Sequence, residues 1–326
     1  MLSRLRFGGL QVKLLLLVQA ASLPVLFLLF WLVVQDRESA IESAKAGLAK
    51  TAHVTSLNRE RYFEGAQQVL RTISRTPALQ DGSPEACTEY LRDLQGRVSA
   101  LFNFGVVDLD GNLRCNALFE GVKGNVSDRP FFRRARDHLE FTVSSYTTGQ
   151  FSGRKNLQFG YPLFDRSNAQ NIVGVVFASL DLTAHEQTLA DLISDRSATL
   201  TFTDRNGVIL GSYPPAPEKI GTRLPNVHLL DSIGAAKPVI VEHQSEGGTK
   251  YLHAIDVVRV GNVIAMHTVL SMSLESVVSK INRKFYWLTA TLVAALGGVM
   301  LISWLLGERW IVQRASLISA AALRIG

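Results

Sequence analysis

The chain has 326 residues, a net charge of +6, and 47% hydrophobic against only 19% charged residues. Its basic residues are scattered and no Lys/Arg run reaches five, which is not the footprint of a nucleic-acid binder. Cys87 and Cys115 stand outside any C-x-x-C or Cys/His cluster, and the His residues lack ligand spacing, so no metal centre is expected.

Residues 1–13 carry Arg4, Arg6 and Lys13 and no acid. Leu14 to Val34 then runs without a charge, and about 20 apolar residues suffice to span a bilayer core. A cleaved signal peptide would have an apolar region of roughly 7–15 residues. This block is longer and continues past Ala20-Ala21-Ser22 into Phe27–Leu32, so it reads as an uncleaved anchor. The basic flank places the N-terminus in the cytoplasm and residues 35–286 outside it.

Residues 36–75 read as a helix, with apolar positions at Ile41, Leu48, Ala52, Val69, Leu70 and Ile73 and a stop at Pro77. Such a helix is about 60 Å long and continues the membrane helix before it. Phe102–Val107 reads as a strand, Asp108–Asn112 as a turn and Leu113–Cys115 as the return strand. A helix follows over 128–135, with Asp128 as its cap and Pro130 in its first turn. Strands are expected near 141–147, 156–164 and 171–180.

The pattern then recurs. Ala198–Thr203 is a strand, Asp204–Gly207 a turn and Val208–Leu210 the return, and Gly207 falls 96 positions after Gly111. Further strands are expected near 237–242, 250–258 and 262–270. The fold class is α+β: two tandem lobes, distal about 76–182 and proximal about 196–272, each an antiparallel sheet with flanking helices. Leu274–Lys284 is helical and leads into Trp287–Leu306, a second uncharged block with Phe285, Tyr286, Trp287 and Trp304 at its ends. Lys280, Arg283 and Lys284 oppose the orientation given above, but long translocated loops weigh little, so both termini are placed in the cytoplasm.

Several segments carry a family resemblance. Val107-Asp108-Leu109-Asp110-Gly111-Asn112, Asp128-Arg129-Pro130-Phe131-Phe132, Tyr161-Pro162-Leu163-Phe164-Asp165 and Ile172–Leu182, in that order, resemble the double Cache sensor domains of bacterial transmembrane receptors. The resemblance covers most of 36–284. It implies tandem PAS-like lobes in the periplasm, held in the bacterial inner membrane, with the distal lobe binding a small ligand and the proximal lobe relaying the signal. The amino-acid-binding branch of that family implies ligand roles for Arg129 with Phe131 or Phe132, for Tyr146 and for Asp181. Residues 307–326 resemble the first half of a HAMP linker, with a coiled-coil seam at Ile311, Ala315, Ile318, Ala322 and Ile325.

Read from the residues alone, Arg129 at a helix start can hold a carboxylate through two bonds, in the positive field of the helix end. Phe131 and Phe132 can wall a pocket. Ser179 and Asp181 share a strand face with Phe177. Gln158 and Tyr161 lie on opposite faces of a neighbouring strand, so at most one points inward. The competing reading pairs Arg129 with Asp128 and puts the aromatics in the core. Cys87 and Cys115 are either a disulfide or two separate buried thiols.

No P-loop, H-E-x-x-H, G-x-S-x-G, cyclase signature or phospho-accepting His box occurs, so no enzymatic activity and no cofactor are expected. The leading expectation is a transmembrane receptor: a parallel homodimer that binds a small carboxylate or amino acid and passes the signal to a cytoplasmic output domain or partner. Two alternatives stay open. One is the input half of a membrane-bound diguanylate cyclase or sensor histidine kinase. The other is a non-enzymatic envelope interaction protein.

Overall fold

A computed structural model describes residues 9–98, 101–119, 121, 123–168, 170–182, 198–225, 227–234, 237–245 and 247–306. The HAMP-like seam over 307–326 lies outside them. Lys45–Leu274 forms one unit; residues 9–44 and 275–306 belong to another.

Strong helix formers (Ala, Glu, Lys, Arg, Gln) dominate residues 36–73. Helix α1 runs unbroken from Gly9 to Ile73, through Pro24. It stops two residues short of the expected 75. Ser74 donates its hydroxyl to the Arg71 carbonyl, satisfying a helix end before Pro77 is reached. Pro77 instead opens the short helix α2, Pro77–Gln80. Helix α3, Pro84–Arg97, was not among the expected elements, although Ser83 accepts a bond from the Ala86 N–H as a standard cap would. Helix α6 runs from Leu274 to Leu306. Both apolar blocks are therefore helical. Among the described residues no helix is long and apolar enough to cross a membrane, and most side chains of 14–34 are not described.

The distal lobe is a six-stranded sheet. Its strands are β1 (Asn103–Val107), β2 (Leu113–Asn116), β3 (Thr142–Val143), β4 (Thr147–Thr148), β5 (Lys155–Phe164) and β6 (Ile172–Asp181). The order is β2-β1-β6-β5-β3, with β4 also on β5. The strand expected over 141–147 is thus two short pieces. Side chains alternate between faces. One face carries Phe104, Ala178 and Phe159 in register, and Phe159 meets Phe63 of α1 with ring centroids 5.4 Å apart. The other face carries Asn103, Ser179 and Gln158 in register. Helix α4, Pro130–His138, packs there through Phe131 on Phe177, centroids 5.2 Å apart. Its cap position is Arg129, with no side-chain capping bond, so the expected Asp128 cap is corrected.

Cys87 on α3 is bonded to Cys115 on β2, with Cα atoms 5.9 Å apart. The bridge closes a 28-residue separation. Chain entropy assigns such a loop about 3.6 kcal/mol. Cys87→Ser in the oxidised protein is therefore expected to cost about 3 kcal/mol in denaturant unfolding; an unchanged midpoint would show that the bridge does not constrain the chain.

The proximal lobe repeats the plan. Strands β7 (Ala198–Thr203), β8 (Ile209–Tyr213), β9 (Val239–Gln244), β10 (Lys250–Val260) and β11 (Val263–Ser273) stand in the order β8-β7-β11-β10-β9. The repeat extends to single bonds. Asp108 Oδ1 accepts from Asp110 N and Asn112 N; Asp204 Oδ1 accepts from Asn206 N and Val208 N. Val126 N donates to Gly111 O, and Leu224 N to Gly207 O. Gly111 and Gly207 both have positive φ, +89° and +76°, which explains glycine at each turn. Helix α5, Val227–Gly234, covers one face of this sheet through Leu229 and Ile233 against Ile255 and Val269; it too was not among the expected elements. The other face takes α1, where Ser56 bonds Thr268, His53 meets Asp256 at 3.0 Å, and Arg59 lies over Phe202.

Two buried histidines of this lobe lack partners on at least one ring nitrogen, His253 Nε2 and both nitrogens of His267. Burial, with help from His243, depresses His253 to about 4. Burial also lowers His267, against the pull of Asp204. His253 stays neutral in the fold while the unfolded chain titrates near 6.5. Its stabilising effect is complete above pH 6.5 and is lost as pH falls toward 4. The melting temperature is expected to drop across that window, and His253→Gln to flatten the drop; a parallel slope in the variant would contradict this.

Candidate ligand pocket

The polar face of the distal sheet opens into a small pocket, open to solvent, with a cavity volume of about 30 Å3. Strand alternation brings Asn103, Ser179 and Gln158 side by side across β1, β6 and β5. One residue pair further along β5, Asn156 stands opposite Asp181. Beyond the polar row the floor turns aromatic. Phe177 lies flat because its neighbour is Gly105, where any Cβ would strike the Phe177 ring. Phe131 from α4 and Phe151 from the β4–β5 loop complete this apolar side.

Arg129 enters from the start of α4. Its side chain is 25% exposed and its Nη1 donates to Thr147 Oγ1 at 3.1 Å. Asp128 is 3.8 Å away and mostly exposed, so that ion pair is weak and the guanidinium keeps unused donors. In the same pocket, the side-chain oxygens of Asn103, Asn156 and Gln158 are all buried without a hydrogen-bond partner. Buried polar atoms in folded proteins are rarely left so. Three in one pocket mark a place that expects donors from a bound molecule. The orientation of Asn156 is fixed, because its Nδ2 donates to the Arg154 carbonyl and turns Oδ1 away from that bond. That carbonyl also closes the loop, accepting from Gly149 N at 2.9 Å. Asn116 Oδ1 is taken by the N–H groups of Leu118 and Phe119, which leaves its amide N–H2 as the group it can offer.

Of the expected site residues, Arg129, Phe131, Gln158 and Ser179 line the pocket. The other four do not. Phe132 is fully buried in the core, with Arg136 over its ring. Tyr161, one face over from Gln158, points away. Tyr146 sits against the proximal lobe, its N–H bonded to Asp204 and its hydroxyl beside Gly221. Asp181 is held by Arg154 at 3.1 Å. Asn103, Asn116 and Asn156, with Phe102, Phe119 and Phe151, were missed. The signal available was a polar residue in alternation within an otherwise apolar strand, as at Asn103 and Asn156.

Two tandem lobes share α1 as a spine, and the distal one holds a pocket with one cationic group and several acceptor oxygens without partners. The family model described as Cache domain matches residues 36–281, and the chain belongs to that family. Solved structures agree in fold. The extracellular domain of a protein described as a histidine kinase, rpHK1S-Z16, is similar with a TM-score of 0.62 at 18% identity, over 73% of this chain and 98% of that one. The ligand-binding domain of the Pseudomonas fluorescens chemoreceptor CtaA, in complex with L-isoleucine, gives 0.57 at 16% identity, over 75% and 98%. That of the Campylobacter jejuni chemoreceptor Tlp3, in complex with L-valine, gives 0.57 at 12%, over 74% and 97%. A comparison with curated proteins finds no match.

Proposed function

We propose that this chain is the ligand-sensing part of a bacterial membrane receptor, and that its distal pocket binds a small carboxylate of the amino-acid type. The observation that carries the proposal is the pairing, within one pocket, of an underused guanidinium at Arg129 with three buried acceptor oxygens lacking partners. A carboxylate answers the first and N–H or O–H donors answer the second. The amino acids bound by CtaA and Tlp3 have this shape.

Membrane attachment through 14–34 and 287–306 is supported by the run of exposed apolar side chains on both helices, among them Phe27, Phe30, Trp31, Tyr286, Trp287 and Leu301. The sensor domain then faces the periplasm and both termini the cytoplasm. A parallel homodimer would cover Val54 and Leu57, exposed three residues apart on α1. The signal passes by a strap, residues 143–147. Thr147 holds Arg129, Ser144 exchanges two bonds with Gln158, and Tyr146 is bound to Asp204 of the proximal lobe. Arg205 also donates to the Val143 carbonyl. From there β7 pairs with β11, which runs directly into α6.

The test is a thermal-shift panel of amino acids and small carboxylates on the full chain in detergent. A true ligand at 100 times its Kd stabilises by about 2.7 kcal/mol. No shift with any member would reject the sensing role and favour an envelope interaction protein. The other alternative, the input half of a diguanylate cyclase or histidine kinase, predicts a native protein well above 35.8 kDa on an immunoblot.

A further inference from the structure

Resting on the reading that Arg129 holds a carboxylate, we propose that the donor end of the ligand is held by the neutral amide oxygens of Asn103, Asn156 and Gln158 rather than by the charge of Asp181. Asp181 is the acid on the pocket face of β6, one alternation beyond Ser179. It is already engaged: Arg154 reaches it at 3.1 Å while lying over the Phe102 ring at 5.3 Å. Drawing Asp181 to a ligand would break this pair. The three amide oxygens need no such rearrangement. Asn103 is 7% exposed and Asn156 1%, and their oxygens have no other bond to lose. Arg154 thus acts twice, by neutralising Asp181 through its side chain and by orienting Asn156 through its carbonyl.

The consequence is a specificity. A carboxylate partner distinguishes an α-ammonium from an α-hydroxyl strongly, because only the ammonium neutralises it. Neutral carbonyl acceptors discriminate less: an ammonium can supply all three oxygens but brings a charge they do not neutralise, whereas a hydroxyl supplies one hydrogen and no charge. The ligand class is therefore α-substituted small carboxylates, with hydroxy acids accepted alongside amino acids.

The experiment measures calorimetric Kd values for matched pairs on the full chain in detergent: L-alanine with L-lactate, and L-leucine with L-2-hydroxy-4-methylpentanoate. Members of the best-binding pair are expected to agree within about tenfold. Asp181→Asn is expected to shift either Kd by less than about threefold, and Asn156→Leu and Asn103→Leu to raise both by about tenfold or more. An amino acid favoured more than about a hundredfold over its hydroxy partner, with Asp181→Asn abolishing the preference, would overturn the subsite and leave the Arg129 reading standing. Failure of every pair to bind would overturn the Arg129 reading itself, and the subsite with it. Should Asn156→Leu unfold, as a change in melting would reveal, the Asp181→Asn result and the pair ratio decide alone.

Discussion

Replacing Arg129 with alanine is expected to weaken carboxylate binding a hundredfold or more and to leave the melting temperature within about 2 °C. The two effects separate because the guanidinium does little for the fold. Its structural contacts are one bond to Thr147 Oγ1 and a 3.8 Å approach to an exposed Asp128. Exposed pairs of that kind contribute about 0–1 kcal/mol. A bound carboxylate would instead accept two charge-assisted bonds, each about 1.5–3 kcal/mol, inside a pocket walled by phenylalanines. Arg129→Lys keeps the charge but loses the fork, so it should recover only part of the loss. Calorimetry on the variant, paired with a melting curve, checks both halves. An unchanged Kd for a ligand that binds the parent would remove Arg129 from the site.

Much of the fold could be read before any coordinates. The Asp/Gly turns at 108–112 and 204–207 announced two hairpins, and their spacing announced the repeat, because the turn demands a residue with positive φ at Gly111 and Gly207. Helices α3 and α5 escaped. The eight residues of α5 are a short sample, and α3 buries only Cys87, Thr88 and Leu91, so neither showed a marked apolar periodicity. The pocket was half legible. Arg129 stood out as a cation at a helix start, and alternation on β6 pointed to Ser179. Asn103 and Asn156 did not, because their meaning depends on register. Only when β1 and β5 are set against β6 do Asn103, Ser179 and Gln158 become one row. Tyr146 and Asp181 stand outside the pocket lining for a related reason. Sequence order put them at the right elements, but tertiary partners, Asp204 and Arg154, decided what they do.

The two Asp turns make a second large prediction, since the same local motif stands in two environments. Asp204→Ala is expected to cost about 3–5 kcal/mol of stability, and Asp108→Ala about 1 kcal/mol. Asp204 is 1% exposed and accepts three backbone N–H bonds, from Asn206, Val208 and, across the lobe boundary, Tyr146. Alanine leaves these donors buried, and each bond to a charged group is worth about 1.5–3 kcal/mol, less whatever water can enter. Asp108 makes the same two turn bonds, at 3.0 and 2.8 Å, yet its turn is exposed and water can replace the carboxylate. The Tyr146 bond gives the experiment a second reading. Amide exchange at Tyr146 should accelerate in Asp204→Ala and stay slow in Asp108→Ala, while ligand affinity moves by less than about threefold in both, because Arg129 and the amide row remain. Equal destabilisation by the two substitutions would mean that turn geometry, not burial, sets the cost. Retained protection at Tyr146 would mean that the strap over 143–147 is anchored elsewhere, and the proposed route from pocket to α6 would lose its crossing point.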